Sequence, residues 1–341
     1  MLREALELLV ARRPLSQAQA AQVMGEIMEG KATSAQIAAF LVALRMKGET
    51  PEEVAGMAQA MRSKALRVEV PFPLLDTCGT GGDRSGTFNI STAAAIVCAA
   101  AGAKVAKHGN RAVSSASGSA DLVEACGVRI DLGPQGVAQC IRDVGIGFCF
   151  APIFHPAMKH AAPTRREIGI RTVFNILGPL TNPAGAQFQV LGVADDALGN
   201  LMAQVLRLLG VQRAWVVHGE DGLDEITLCA PTRVWEVDHE GVRSFTLAPE
   251  EVGLPRAHPE DLKGGTAQEN AQRLRAILQG ERSPLRDAVL LNAGAGLVVY
   301  GKAGTLQGGL SLARQAVDSG AALAVLERWA RVSHQATGAQ G

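Results

Sequence analysis

An α/β fold with a small all-helical domain in front of it is what this sequence predicts. Three observations carry that expectation. Helix caps run through the first 65 residues without a strand pattern, a strand–glycine loop–helix–strand run begins at Leu74, and continuous apolar strands follow at 188–193 and 214–217. Short apolar strands separated by helical segments read as βαβ units, and hence as a central, mainly parallel sheet. The 341 residues suffice for about two domains and a sizeable core.

The elements follow in order. Four helices are expected in the leading block. Ser16 with Gln19, and Thr33 with Gln36, have capping-box spacing, in which each side chain serves the other residue's backbone N–H. Thr50-Pro51-Glu52-Glu53 sets a cap, then proline at the first helical position, then acid. Ile37, Phe40, Leu41 and Leu44 share one face at helical spacing, and Gly30 and Gly48 close two of the helices. From Pro71 the pattern changes to a strand at 74–78, the glycine loop, an alanine-rich helix at 93–101 and a second strand at 104–107. Helices near 118–126 and 134–144 and a strand at 147–150 come next. Residues 155–183 carry helix signals and prolines and are expected to return to the helical block. A helix at 196–209 separates the two apolar strands, a ribbon at 232–237 and 243–247 breaks the alternation, and helices dominate from 268 onward.

Composition narrows the function. Lysine plus arginine and aspartate plus glutamate both total 33, a net charge of zero that leaves no footprint for nucleic acid or an anionic membrane. The six cysteines show neither C-x-x-C nor zinc spacing and mostly sit in apolar surroundings, which fits a reduced, cytoplasmic setting. The N-terminus is charged and amphipathic, unlike a signal peptide, and no run approaches the roughly 18 apolar residues of a membrane span.

The stretch from Gly79 to Thr92 is the most informative. Its four glycines let the backbone take positive φ and approach a ligand closely. Ser91 and Thr92 stand where an N-cap is expected, so helix N–H groups would point into the loop as an anion site. Asp83 in the same loop points to a metal ion or a ribose hydroxyl. Neither common nucleotide fingerprint is present, since the G-x-G-x-x-G spacing and the Gly-Lys-Ser/Thr ending are both missing.

Other motifs belong at the C-terminal ends of parallel strands, where ligands gather. Lys107-His108-Gly109-Asn110-Arg111 ends the second strand, and Ser114, Ser115, Ser117 and Ser119 follow. Lys107 supplies a positive charge for phosphate, and Ser117 or Ser119 is expected to cap the next helix as a second anion-binding end. The plainer alternative is a capped turn with a solvated lysine. After the strand at 214–217 comes an acidic turn containing Asp221, Asp224 and Glu225. In isolation it reads equally as a solvated loop or as carboxylates that share Mg²⁺ with substrate phosphates. Arg165 is suited to a bidentate grip on a carboxylate, and the sequence alone favours a surface salt bridge there.

Taken together, these motifs and the run Phe174-Asn175-Ile176-Leu177-Gly178-Pro179-Leu180-Thr181-Asn182-Pro183 resemble the anthranilate phosphoribosyltransferase family. The resemblance covers essentially the whole chain in order. It implies a helical domain at 1–70, joined by 155–183, and an α/β domain at 71–154 and 184–341 that binds phosphoribosyl pyrophosphate, with the site between them. It also implies transfer of phosphoribose to the amine of anthranilate, Mg²⁺ at two ions per subunit, and a homodimer through the helical domains. Carried over by position, the phosphoribosyl pyrophosphate site would comprise Gly79, Gly82, Asp83, Thr87, Asn89, Ile90, Ser91 and Thr92. It would continue through Lys107, His108, Gly109, Asn110, Arg111, Ala112, Val113, Ser114, Ser115 and Ser119. Lys107 and His108 would be the catalytic pair. Gly79, Asn110 and Arg165 would meet anthranilate, and Ser91, Asp224 and Glu225 would ligate the metal. Ala116 departs from relatives that often carry a longer side chain there, which removes any side-chain contact at that point. Two alternatives share the architecture. A pyrimidine-nucleoside phosphorylase would need neither Mg²⁺ nor Arg165, and a non-catalytic nucleic-acid-binding relative would show a basic surface.

Overall fold

The computed structural model describes residues 1–112 and 116–336. The leading helices are α1 (Leu2–Val10), α2 (Gln17–Met28), α3 (Ser34–Lys47) and α4 (Pro51–Lys64). All three expected capping boxes form, at Ser16–Gln19, Thr33–Gln36 and Thr50–Glu53. Ile37, Phe40, Leu41 and Leu44 are buried, and Gly48 closes α3 at φ 90°. Glu53 does more than complete its box. Its carboxylate is fully buried, accepts the Leu15 N–H at 2.9 Å and pairs with Lys47 at 2.8 Å, so α4 is tied to the end of α3 and the start of α2.

Next come β1 (Leu75–Gly79), α5 (Ile90–Ala100), β2 (Val105–Gly109), α6 (Ser119–Ala125), α7 (Pro134–Asp143) and β3 (Ile146–Phe150). The short helices α8 (Ala151–Phe154), α9 (Ala162–Ile168) and α10 (Phe174–Leu177) lead to β4 (Phe188–Gly192), α11 (Ala197–Leu208) and β5 (Arg213–Gly219). The ribbon is β6 (Thr232–Val237) with β7 (Val242–Leu247). The chain then ends in α12 (Ala267–Leu278), α13 (Pro284–Val299), α14 (Leu306–Asp318) and α15 (Ala321–Gln335).

One sheet of seven strands runs in the order β3-β2-β1-β4-β5-β6-β7. The pairs from β3 to β5 are parallel, and β5–β6 and β6–β7 are antiparallel. Chain order reverses at β1, which lies between β2 and β4, and such a switch point opens a crevice at the strand C-termini. Side chains alternate between the faces of β4 to β6. Val190, Val217 and Val234 join the core beneath α5 and α13, whereas Leu191, Val216 and Trp235 join the core shared by α11 and the leading helices. Ala161, Val173, Phe174 and Leu177 bury in that second core. No helix among the described residues is long and apolar enough to cross a membrane.

Candidate active site

The loop after β1 is shaped by a run of left-handed residues. Gly81, Gly82 and Gly86 have φ of 65°, 84° and 64°, and Arg84 shares that region at 58°, where a side chain is strained. Asp83 folds onto the loop itself, accepting the Ser85 hydroxyl at 2.7 Å and its N–H at 3.2 Å, and the Ser85 hydroxyl lies 3.1 Å from that of Thr87. The helix begins earlier than expected. α5 starts at Ile90 with Asn89 at its N-cap, so Ser91 and Thr92 lie in the first turn and do not cap it. Its first N–H groups are partly committed. Ile90 donates to Phe88 O at 2.8 Å, Thr92 to Asn89 O at 3.1 Å, and Ser91 to the Glu225 carboxylate at 3.1 Å.

Beside this loop, β2 carries Lys107, almost wholly buried, whose ammonium donates to the Thr77 carbonyl. Under it lies Asp76, fully buried, which accepts the His108 N–H at 3.1 Å and the Asn182 amide at 2.8 Å. Burial raises the Asp76 pKa, and the field of Lys107 opposes that rise. The His108 Nδ1 lies 3.1 Å from Gly178 O, and its ring centroid is 5.2 Å from that of His155; among the described residues the Nε2 of each ring has no hydrogen-bond partner. Burial first, and then His155, push the His108 pKa down to about 3, so the imidazole is neutral.

Further along, the Asn110 N–H donates to the Ser119 hydroxyl at 3.2 Å. The Arg111 guanidinium turns to α6, pairing with Asp121 at 2.9 Å and Glu124 at 2.8 Å. The second helix end also differs from expectation, because Gly118 and neither Ser117 nor Ser119 stands at the N-cap of α6. Asp121 accepts the Gly118 and Ala112 N–H groups, both at 2.9 Å, and so fills this end with the protein's own carboxylate. Val113, Ser114 and Ser115 lie outside the described residues.

The acidic turn closes over the glycine loop. Asp224 accepts the Gly81 N–H at 2.8 Å. The approach leaves no room for side chains: a Cβ on Gly79 would lie 2.4 Å from the Asp224 carboxylate, and one on Gly192 1.6 Å from the Asp224 carbonyl. Burial raises both acidic pKa values, with Asp83 adding to the rise at Asp224 and Asp224 to that at Glu225. Behind the turn, Asn292 accepts the Ile226 N–H at 3.0 Å and donates to its carbonyl at 2.8 Å. The solvated-loop reading of this turn therefore does not hold.

Arg165, on α9, lies with its guanidinium 4.9 Å over the Phe174 ring and forms no ion pair among the described residues, so it is not the surface salt bridge the sequence favoured. Burial lowers its pKa. No hydrogen bond joins it to Gly79 or Asn110 among the described residues. Sequence reasoning missed Arg171, which donates to the Gly81 and Gly82 carbonyls at 3.2 and 3.3 Å. It also missed Asp76, His155, Asn182, Asn270 and Asn292. Asp76 stands in the strand before the glycine loop and Asn182 within the recognised run 174–183, though the sequence assigns neither a role; the others carry no local signal.

The arrangement brings together hard carboxylate oxygens, a buried lysine, backbone donors and neutral imidazoles at the C-terminal ends of β1, β2 and β5. Such a set suits a polyphosphate with a divalent cation. Comparison with known proteins agrees. The model for the helical bundle domain of the glycosyl transferase family matches residues 3–65, and that for its a/b domain matches 72–323. Over 334 residues the chain is 58% identical to anthranilate phosphoribosyltransferase of Chloroflexus aggregans, covering 97% of this chain and 98% of that one. It is 55% identical to that of Moorella thermoacetica over 96% of this chain and 97% of that one. Among solved structures, the Thermus thermophilus anthranilate phosphoribosyltransferase superposes with a TM-score of 0.91 at 50% identity, covering 97% and 99% of the two chains. The Saccharomyces cerevisiae enzyme, in complex with PRPP and Mg, does so with a TM-score of 0.90 at 29% identity over 98% of each chain. Sequence, fold and the disposition of the crevice thus agree that this chain belongs to the anthranilate phosphoribosyltransferase family.

Proposed function

We propose that the crevice transfers the 5-phosphoribosyl group from phosphoribosyl pyrophosphate to the amine of anthranilate, with Mg²⁺, releasing pyrophosphate. The observation that carries this reading is the closure of the acidic turn on the glycine loop, Asp224 on the Gly81 N–H and Glu225 on the Ser91 N–H. The donor set fits Mg²⁺. Asp83, Asp224, Glu225 and the Ser91 hydroxyl are hard oxygen groups, the donor type that Mg²⁺ takes. Mg²⁺ is commonly held by one or two carboxylates while substrate phosphates and water complete its shell. When bound, the metal supplies positive charge to the departing pyrophosphate. Two ions per subunit agree with two carboxylates whose contacts lie on different parts of the loop.

The chain's own residues supply the rest. Lys107, aimed by the Thr77 carbonyl, offers a fixed positive charge to the leaving group, and the loop N–H groups offer donors. The C1–O bond of the ribose breaks with its electron pair leaving on pyrophosphate, the C1–N bond forms, and the anthranilate nitrogen then passes its proton to the released pyrophosphate. An aromatic amine is neutral at pH 7, so attack requires no base; His108, neutral with an open Nε2, orients the substrate. Arg165, with no acidic partner among the described residues, binds the anthranilate carboxylate. Residues 1–70 with 155–183 form one body and 71–154 with 184–341 the other, and their closure aligns the substrates and excludes water.

A homodimer through the helical domain is supported by the groove of about 170 Å³ between α1 and α3, flanked by Val10 at 77% exposure and Met46 at 71%. A cytoplasmic setting is supported by six free cysteines, five of them buried. The test is loss of anthranilate fluorescence on mixing protein, anthranilate, phosphoribosyl pyrophosphate and Mg²⁺. No loss across a Mg²⁺ series would sink the proposal.

A further inference from the structure

The glycine loop is backed by a segment that carries none of the recognised motifs. Thr87 and Lys263 form an antiparallel bridge, the Phe88 N–H donates to Leu262 O at 2.9 Å, and the Gly264 N–H to Gly86 O at 2.9 Å. At the end of this backing stands Asn270, only 1% exposed, on the first turns of α12. Its Oδ1 accepts the Gly265 N–H at 2.8 Å, and its Nδ2 donates to the Asn89 Oδ1 at 3.0 Å. Asn89 in turn donates from its Nδ2 to the Ser117 carbonyl at 3.0 Å. Two amide side chains thus connect three segments: the backing segment at Gly265, the glycine loop at Asn89 and Ser117 ahead of α6. The helix does not need Asn270 for capping, since Thr266 and Glu269 already form a complete box. A buried amide whose donor end serves another segment, beyond any local cap, is costly to bury unless that bond is made.

We propose that Asn270 is a positioning residue for phosphoribosyl pyrophosphate, acting through Asn89 to hold the glycine loop and the loop before α6 in register. This rests on the reading of those loops as the phosphoribosyl pyrophosphate site. Asn270 itself faces Gly265 and Asn89, so its effect is on loop placement.

The experiment is a double-mutant cycle with Asn270→Ala, Asn89→Ala and the pair, read as KM for each substrate together with the thermal midpoint. Asn270→Ala should raise KM for phosphoribosyl pyrophosphate about tenfold, the scale of one buried hydrogen bond, and leave that for anthranilate within about twofold. In the Asn89→Ala background it should add almost nothing, because its route of action is already cut. Additive effects, or an unchanged KM for phosphoribosyl pyrophosphate in a folded variant, would overturn the proposal. Should Asn270→Ala fail to fold, Asn270→Asp decides. It keeps the acceptor for the Gly265 N–H and, when ionised, sets an acceptor in place of the donor toward Asn89, so at pH 8 it should show the same selective rise with a lowered thermal midpoint. If it also fails to fold, Asn270 is a stability residue and the proposal is wrong. Turnover by the unmodified protein separates these failures from failure of the functional reading itself.

Discussion

His108 and His155 give a sharp handle on the floor of the crevice. Both are buried, and both imidazoles are held neutral. Burial, and then His155, take the His108 pKa from 6.5 to about 3, and burial takes that of His155 to about 4. In the unfolded chain each histidine gains a proton near its ordinary pKa of about 6.5. Folded values below unfolded ones mean that the stabilisation is complete above that pKa. It is lost as the pH falls, because only the unfolded chain takes up the proton. Between pH 7.5 and pH 5 that uptake amounts to about 2 kcal/mol for each histidine and about 4 kcal/mol for the pair. Asp224 and Glu225 work in the opposite sense, since their pKa values are raised, so the curve of the whole protein does not isolate the effect. A comparison does. In urea unfolding at the two pH values, His155→Gln should lose about 2 kcal/mol less stability than the parent protein over the interval. Equal losses would refute the reasoning, as would proton NMR in which either ring titrates with a midpoint near 6.5.

Arg165→Ala should raise the anthranilate KM by about 10- to 100-fold, the range for a lost charged hydrogen bond, and leave that of phosphoribosyl pyrophosphate unchanged; steady-state kinetics with each substrate varied reads this directly. Arg165→Lys should recover little of it, because a point charge cannot reproduce a planar fork. Combining Asp224→Asn with Glu225→Gln should move half-maximal activity to higher Mg²⁺ while the thermal midpoint at pH 8 stays level or rises, since two buried like charges are removed; a falling midpoint would show that the carboxylates hold the fold together. Gly192→Ala places a methyl against the Asp224 carbonyl, where a Cβ would lie at 1.6 Å, and should cost at least about 1–3 kcal/mol in denaturant unfolding. Wild-type stability there would mean that the turn is free to move away.

What the sequence made legible was local. Capping boxes three residues apart, apolar strands and the glycine loop announce themselves within a short window, and α4, β4, β6 and the parallel order appear where expected. The errors were local too, but came from competition. Ser91 and Thr92 look like caps, yet α5 starts at Ile90, three residues before the expected Ala93, and the Ser91 N–H is taken by Glu225. Ser117 and Ser119 lost the cap of α6 to Gly118 and the reach-back of Asp121. The supports of the site were illegible for a different reason. Asn182 serves Asp76 from 106 residues away, and Asn292 serves Ile226 from 66. Asn182 stands in a recognised run and Asn292 on a helix without a motif, and in both cases only the fold supplies the partner.

The closure of the acidic turn on the glycine loop has a bearing on when this protein acquires its activity. The Gly81 N–H finds Asp224 143 residues onward, the Ser91 N–H finds Glu225 134 onward, and Asn89 meets Asn270 181 residues away. Contacts of such separation form late, after the cost of closing long loops has been met. A nascent chain that has emerged through residue 183 holds every glycine and lysine of the phosphate motifs and none of these three braces. Turnover is therefore expected only of chains that extend past these partners. A chain cut after residue 183 lacks all three braces and is expected to show no turnover, whereas one cut after Glu225 lacks, of the three, only the Asn89–Asn270 bond; assays of the two truncations test this order.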